Sequence, residues 1–323
     1  VSVGTVSNVL NAPHLVSVET RSRVLEAIEA LGYRPNRAAR SLQAKKTYLI
    51  GYRLPDPGFS AALDVFLHQL VRTAAEHGFD VAVFAPRRGQ DDLSAYREVI
   101  RAGNVDGFIL SETNYADPRV EMLSELSVPF VTFGRANHPN PFPWVDVDGG
   151  AGVTQVVRHL ADRGHRRIAL IAWPEGSESG DTRVEGFHQG MAATGLPVDS
   201  DLVVRCESGF AAGRLAAGPL LDDADPPTAI VTVQDELALG VMSAATNRGI
   251  RVGDKLAVAG FDDIPAASLA WPGLTSVRQP FDDVARKLVD LLVARLTLPD
   301  EQPDNIMLSP QLMVRASTTG SSP

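Results

Sequence analysis

Hydrophobic and polar positions along the 323-residue chain change their spacing near residue 47. Before it, the spacing is helical. In 2-SVGTVSNVLN-11 the apolar residues Val6, Val9 and Leu10 fall at i, i+3 and i+4, with Ser2 placed to cap the helix. A turn rich in breakers, NAPHLVS, leads to a second helix from about Ser17, whose stripe is Val24, Leu25, Ile28 and Leu31 and whose stop is Gly32. The next stretch, YRPNRAARSLQAKKT, is basic and carries one large aliphatic side chain, Leu42, so it cannot bury a face unaided.

From Tyr48 the pattern becomes strand and helix in alternation. Apolar runs of strand length lie at 48–54, 80–86, 106–111, 129–134, 167–173, 228–233 and 256–263, and amphipathic helical stretches include 61–77, 149–164 and 281–296. Continuous apolar strands joined by helices predict parallel sheets covered on both faces. The segment is too long for one open sheet and suits two similar α/β lobes with a cleft between them.

Composition adds a compartment and a polarity. No run approaches the ~20 apolar residues of a membrane helix, and no basic-then-apolar leader opens the chain, which predicts a cytoplasmic protein with no membrane partner. Cys206 is the only cysteine, which excludes an internal disulfide and a thiolate zinc cage. The net charge of −9 argues against nucleic acid, but its distribution does not: residues 1–46 carry +4 and the remainder −13. A basic head on an acidic body docks one end on phosphate and keeps the other off it.

The stretches VSVGTVSNVLN and VSVETRSRVLEAIEALGYRPNRAARSL resemble the DNA-binding head of the LacI/GalR family of bacterial transcription regulators. The body is similar to the same family at FGR (133–135), VDVDGGAG (145–152), HLADRGHRRIALI (159–171), QDELALGVM (234–242), GFDD (260–263) and LTSVRQP (274–280). The resemblance implies a small all-α head on an α/β body of two Rossmann-like lobes, the type I periplasmic-binding-protein fold. It implies a head over 1–46 and a body over 47–323, with lobe 1 near 47–160 and 279–308 and lobe 2 near 161–278 and 309–320. It also implies that the chain begins within the helix-turn-helix, after a first helix that the family carries.

By the same resemblance the helix from Ser2 is the recognition helix. Val3, Gly4 and Asn8 then face bases, with Asn8 suited to adenine or a phosphate, and Thr5 and Ser7 suit phosphate oxygens. Residues 36–43 resemble the hinge helix, with Asn36, Arg37 and Arg40 on the DNA and Leu42 wedged into the central base step of a palindromic operator. Two copies meet there, which implies a homodimer. The tail after LMVRAST has no leucine heptads to build a tetramer.

In the body, polar side chains end predicted strands, where open α/β sheets hold ligands. Arg135 follows PFVTFG, Asp148 ends WVDVD, Gln234 and Asp235 follow TAIVTV, Asp262 ends LAVAGF, and Arg183 begins a helix. Carboxylate, guanidinium and amide groups suit the vicinal hydroxyls of a sugar. The resemblance adds Phe210 as an aromatic on the ligand ring, and Trp144, Trp173 and Trp271 are further ring candidates. The loop LPDPGFSAALDVF departs from the family's usual Asn-Pro-Phe-like turn, so the usual effectors do not carry over, although Phe59 and Ser60 are expected to face the ligand.

Enzyme readings find little support. GGxG at 149–152 does not match GxGxxG, and GxxxxGK[ST], HExxH and GxSxG do not occur. The acidic pairs Asp222/Asp223, Asp262/Asp263 and Asp282/Asp283 are sequence neighbours whose side chains point apart. The sequence therefore predicts a repressor without cofactor or catalysis, switched by a small carbohydrate. The rival is a sugar-binding protein of the periplasmic type, which predicts a signal peptide and no basic head.

Overall fold

The computed structural model describes residues 1–11, 13–31, 46–55, 60–139, 141–298 and 305–320. The chain forms two units, Val1–Thr47 and Tyr48–Pro323.

In the first unit, α1 (Val3–Asn11) and α2 (Val18–Ala30) flank a short 3₁₀ turn, Pro13–Leu15. Both helices start on serine. Ser2 Oγ accepts from the Thr5 amide at 3.1 Å, and Ser17 Oγ accepts from the Thr20 amide at 3.4 Å, satisfying donors that a helix start leaves open. Val9 and Val24 are buried, whereas Leu25 and Leu31 of the expected stripe are exposed. Gly32, the expected stop, lies outside the described residues.

The second unit holds two six-stranded sheets. The first is built from β1 (Leu49–Arg53), β2 (Asp80–Phe84), β3 (Gly107–Leu110), β4 (Phe130–Phe133), β5 (Trp144–Val147) and β11 (Asn305–Leu308), in the order β2-β1-β3-β4-β5-β11, with parallel neighbours throughout. The second holds β6 (Ile168–Ala172), β7 (Val203–Arg205), β8 (Ala229–Thr232), β9 (Ala257–Asp262), β10 (Thr275–Arg278) and β12 (Gln311–Met313), in the order β7-β6-β8-β9-β10-β12. Only β12 runs antiparallel in that sheet, against β10. Central strands β3, β6, β8 and β9 are buried along their whole length, as continuous apolar runs between two helix layers must be. The order reverses around β1 and around β6, and such switch points open a crevice at the carboxyl ends of the strands.

The chain passes between the lobes three times, after β5, after β10 and between β11 and β12. The helix after the first crossing, α6 (Gly149–Asp162), packs on α7 (Glu178–Ala193) and on β8, β9, β10 and β12. The expected division at 160 assigned that helix to lobe 1; its packing joins it to the second sheet, because the chain crosses at Asp148 before the helix begins. The helix after β10, α11 (Phe281–Thr297), returns to the first lobe and packs on β3, β4, β5 and the helix α3 (Ala61–Glu76).

Candidate functional site

The carboxyl ends of the two sheets face one another across a cleft. From the first lobe come Ser60 after β1, Glu112 and Thr113 after β3, Phe133 and Gly134, and Asp146 within β5. From the second come Trp173 after β6, Ser179 and Arg183 on α7, and Asp262 at the end of β9. Gln279 and Phe281 line the crossing between the lobes. The chamber they enclose measures about 100 Å³.

Arg183 lines it from α7. Nη1 donates to the Val233 carbonyl at 2.6 Å, and the guanidinium lies 3.8 Å from the Phe261 ring centroid and 5.0 Å from that of Trp173. Its Nη2 is 3.9 Å from Asp262 Oδ1, and its Nε is buried without a hydrogen-bond partner. Burial lowers its pKa, against the pull of Asp262, Asp146 and Asp235. A guanidinium keeps its proton regardless, so an unfilled donor fork faces the chamber.

Asp262 is held at φ 109°, a conformation disfavoured for a side-chain-bearing residue, and its Oδ1 accepts from Gln279 Nε2 at 2.7 Å. Burial pushes its carboxyl up to about 7, Arg183 pulls it down and Glu236 pushes it further up. Near neutral pH it is therefore both acid and carboxylate, able to donate to a ligand hydroxyl or accept from one. Asp146 is also buried; its Oδ1 accepts from the Val147 amide and its Oδ2 from Arg135 Nε, both at 2.8 Å, and burial raises its pKa as well.

A consequence for stability follows from the raised pKa of Asp262. Below the ordinary carboxyl value of 3.8 both folded and unfolded chains hold the proton. Between there and about 7 the unfolded chain releases it and the folded chain keeps it, so rising pH favours unfolding, by at most about 1.4 kcal/mol per pH unit for one proton. The stability of the native chain minus that of Asp262→Asn should fall over this window and level off above it. Denaturant melts at half-unit pH steps measure the difference, and a flat line places the Asp262 carboxyl in its ordinary range.

Among the described residues, three contacts join the lobes beside the chamber. Arg135 joins Asp146 of the first lobe to Glu178 of the second, at 3.0 Å for the latter. Glu236 Oε1 accepts from the Ala61 amide at 2.7 Å and so caps α3 from the opposite lobe, and the Tyr115 amide donates to the Gly176 carbonyl at 3.3 Å.

The remaining expected ligand residues stand elsewhere. Asp148 is exposed and accepts from the Ala151 amide at 2.8 Å, capping α6; the carboxylate of this segment that lines the chamber is Asp146, two residues earlier. Asp235 is fully buried, its Oδ1 accepting from Ser276 Oγ at 2.6 Å and its Oδ2 from the Ile264 amide at 2.9 Å, and burial beside Asp262 raises its pKa strongly. It braces three segments behind the site. Gln234 is buried too, its Oε1 accepting from Ser208 Oγ and the Gly209 amide, both at 3.2 Å. Phe210 opens the helix Phe210–Leu221, about half exposed and outside the chamber lining. Trp144 is half-buried beside Arg135, and Trp271 is exposed.

Phe59 lies outside the described residues, as do Asn36, Arg37, Arg40 and Leu42 with the whole expected hinge helix. In the head, Val3, Gly4, Thr5, Ser7 and Asn8 all fall within α1; Gly4 and Asn8 are exposed and Thr5 is half-exposed. Sequence reasoning missed Asp146, Gln279, Glu112, Thr113, Ser179 and the two ring residues Phe133 and Phe281. Gln279 carried the same signal as its neighbours, a polar residue directly after a strand.

Residues 1–36 match the bacterial regulatory proteins of the lacI family, and residues 157–318 match a periplasmic binding protein-like domain. The chain is 34% identical over 325 residues to the HTH-type transcriptional regulator AglR of Rhizobium meliloti, covering 97% of this chain and 90% of that protein. It is also 34% identical to the HTH-type regulator CelR of Thermobifida fusca, over 97% and 94% of the two chains. Among solved structures, a CelR–cellobiose complex superimposes with a TM-score of 0.77 at 31% identity, over 98% of this chain and 96% of that one. The lac repressor dimer bound to operator and the anti-inducer ONPF does so with 0.81 at 28% identity, over the same shares. The chain thus belongs to the lacI family of bacterial transcriptional regulators, DNA-binding proteins with a periplasmic-binding-protein-like body.

Proposed function

We propose that this chain is a homodimeric, cytoplasmic repressor whose heads and hinges grip the two halves of a palindromic operator, and whose grip is released by a sugar held between the lobes. The observation that carries the reading is the convergence of Arg183, Asp146, Asp262 and Gln279 on one interlobe chamber, in a chain whose residues 1–46 are basic. Two carboxylates, an amide and a guanidinium offer donors and acceptors that suit the hydroxyls of a sugar. The reading thus involves binding only, without catalysis or cofactor. CelR with cellobiose and the operator-bound lac repressor dimer lend support. The basic head sets aside a periplasmic-type carrier with no DNA role.

Because Arg183 and Asp262 belong to one lobe and Asp146 to the other, a ligand touching all three favours one lobe arrangement and biases the hinges through it. In the hinge, Asn36, Arg37 and Arg40 position the segment on phosphate and Leu42 enters the minor groove. The test is fluorescence anisotropy on an operator selected by this protein from random DNA. A bound sugar should weaken operator affinity by about 5- to 150-fold, the usual span of such coupling. Sugars that bind the protein and leave operator affinity unchanged overturn the switch. Leu42→Ala should weaken operator binding at least about tenfold and spare nonspecific DNA, since unstacking is exchanged for contact only at the specific site; equal losses on both refute the wedge.

A further inference from the structure

The chamber around Arg183 does not end at its lining. Glu112 and Trp173 also line a second, outer basin of about 610 Å³, formed with Arg53, Asp92, Asn114 and Ser177. The inner chamber alone, about 100 Å³, falls below the ~300–1,000 Å³ of ordinary small-molecule sites, whereas the two together fall within it. Resting on the sugar-switch reading above, we infer that the effector is an uncharged disaccharide, one ring in the Arg183 chamber and the second in the outer basin between Asn114 and Ser177.

Four observations support this. The loop after β3 runs from one compartment into the other, with Glu112 and Thr113 facing the chamber and Asn114 the basin. That loop is held rigidly for the purpose: Glu112 sits at φ 56°, and buried Arg119 clamps the backbone by donating to the carbonyls of Ser111 at 3.0 Å and Glu112 at 2.9 Å. A costly backbone conformation locked by a buried guanidinium marks a place where position matters. At the junction, Trp173 presents an indole whose N–H is buried without a partner, and an indole offers both a ring face for a sugar and a donor for its oxygen.

Charge narrows the class. The basin sets Asp91, Asp92, Glu112 and Asp117 against Arg53 and Arg119. Both cations are engaged: Arg53 lies 3.2 Å from Asp92 and 3.1 Å from Glu112, and Arg119 is 2.7 Å from Asp117. The surplus of carboxylate accepts hydrogen bonds and repels phosphate or uronate, so a hydroxyl-rich, uncharged ring fits and an anionic one does not. Both lobes line the basin, with Trp173 and Ser177 from the second and the rest from the first, so a second ring adds to the same closure as the first.

Calorimetry on the full chain tests the inference with matched sets: glucose against cellobiose, maltose and trehalose, galactose against lactose and melibiose, and a 6-phosphorylated form of the best disaccharide. At least one disaccharide should bind 30-fold or more tighter than either of its own rings, and its phosphorylated form should bind more weakly. Asn114 is exposed, so Asn114→Trp can fill the basin without disturbing the core. It should erase the disaccharide margin and leave monosaccharide affinity within about twofold; Asn114→Ala should reduce the margin in part. A monosaccharide binding as tightly as every disaccharide overturns the inference and leaves the sugar switch standing, as does a margin untouched by both substitutions. Binding of no sugar at all overturns the switch and the inference together.

Discussion

Arg183→Ala is expected to weaken effector binding by at least 100-fold. The guanidinium is a charged group that lines the chamber with an unpaired buried donor, and hydrogen bonds from a charged donor contribute about 1.5–3 kcal/mol each. Two such bonds lost correspond to at least a hundredfold in affinity, at about 1.4 kcal/mol per tenfold. Removing one member of a buried charge pair ordinarily destabilises the fold by ~3–5 kcal/mol as well. Here the cost should be smaller, because the Asp262 contact is long, 3.9 Å, and the carboxyl, already pushed up to about 7, can take a proton once the cation leaves. Arg183→Lys separates the two effects: it keeps a charge but loses the planar fork, so the fold should hold while affinity still drops at least tenfold. Calorimetry and thermal unfolding on the same samples read both quantities. An unchanged dissociation constant in a folded Arg183→Ala protein moves the site out of this chamber.

How much of this was legible in the sequence depends on how far each residue's role is local. Alternating strands and helices, two lobes, the capping serines and the placement of Asp262 at a strand end follow from periodicity and from the family resemblance; Arg183, expected to begin a helix, lies in the second turn of α7, which begins at Glu178. Asp146 and Asp148 show where that reasoning stops. Both lie in WVDVD on the same side of an extended strand, and the difference is made when the strand ends at Val147 and Asp148 turns to cap α6. Gln234 and Asp235 stand near a strand end just as Asp262 does, but their oxygens are taken by Ser208, Ser276 and two backbone amides that are distant in sequence or on other segments. No local pattern reveals such partners. Arg135, expected among the ligand groups from its place after a strand, bridges Asp146 and Glu178.

The glycines of GGxG, which do not match a nucleotide fingerprint, determine where Arg183 can stand, and a substitution at their partner should show it. A Cβ on Gly186 would lie 2.2 Å from the Gly150 carbonyl oxygen and 2.6 Å from its Cα, so α6 and α7 touch backbone to backbone. Thr154 Oγ1 reinforces the crossing by donating to the Gly186 carbonyl at 2.8 Å. Gly186→Val must therefore force two helices apart, since no side chain can yield; the cost should reach the upper end of overpacking, about 3 kcal/mol or more, and lower the unfolding midpoint by about 5 °C or more. Gly190→Ala is the contrasting case on the same face. Its Cβ would lie 2.7 Å from Val157 Cβ and 3.1 and 3.2 Å from the two Cγ atoms, so Val157→Ala, which removes only the Cγ atoms, should restore part of the loss there and none of it at Gly186. Arg183 lies one turn before Gly186, and its Cγ would come within 2.9 Å of a Cβ on Gly149. Tilting α7 away from α6 swings that guanidinium out of the chamber, so Gly186→Val, measured well below its melting point, should also lose at least tenfold in effector affinity. A variant that melts early yet binds normally separates the helix crossing from the site; loss of both ties the position of Arg183 to the contact between two glycines.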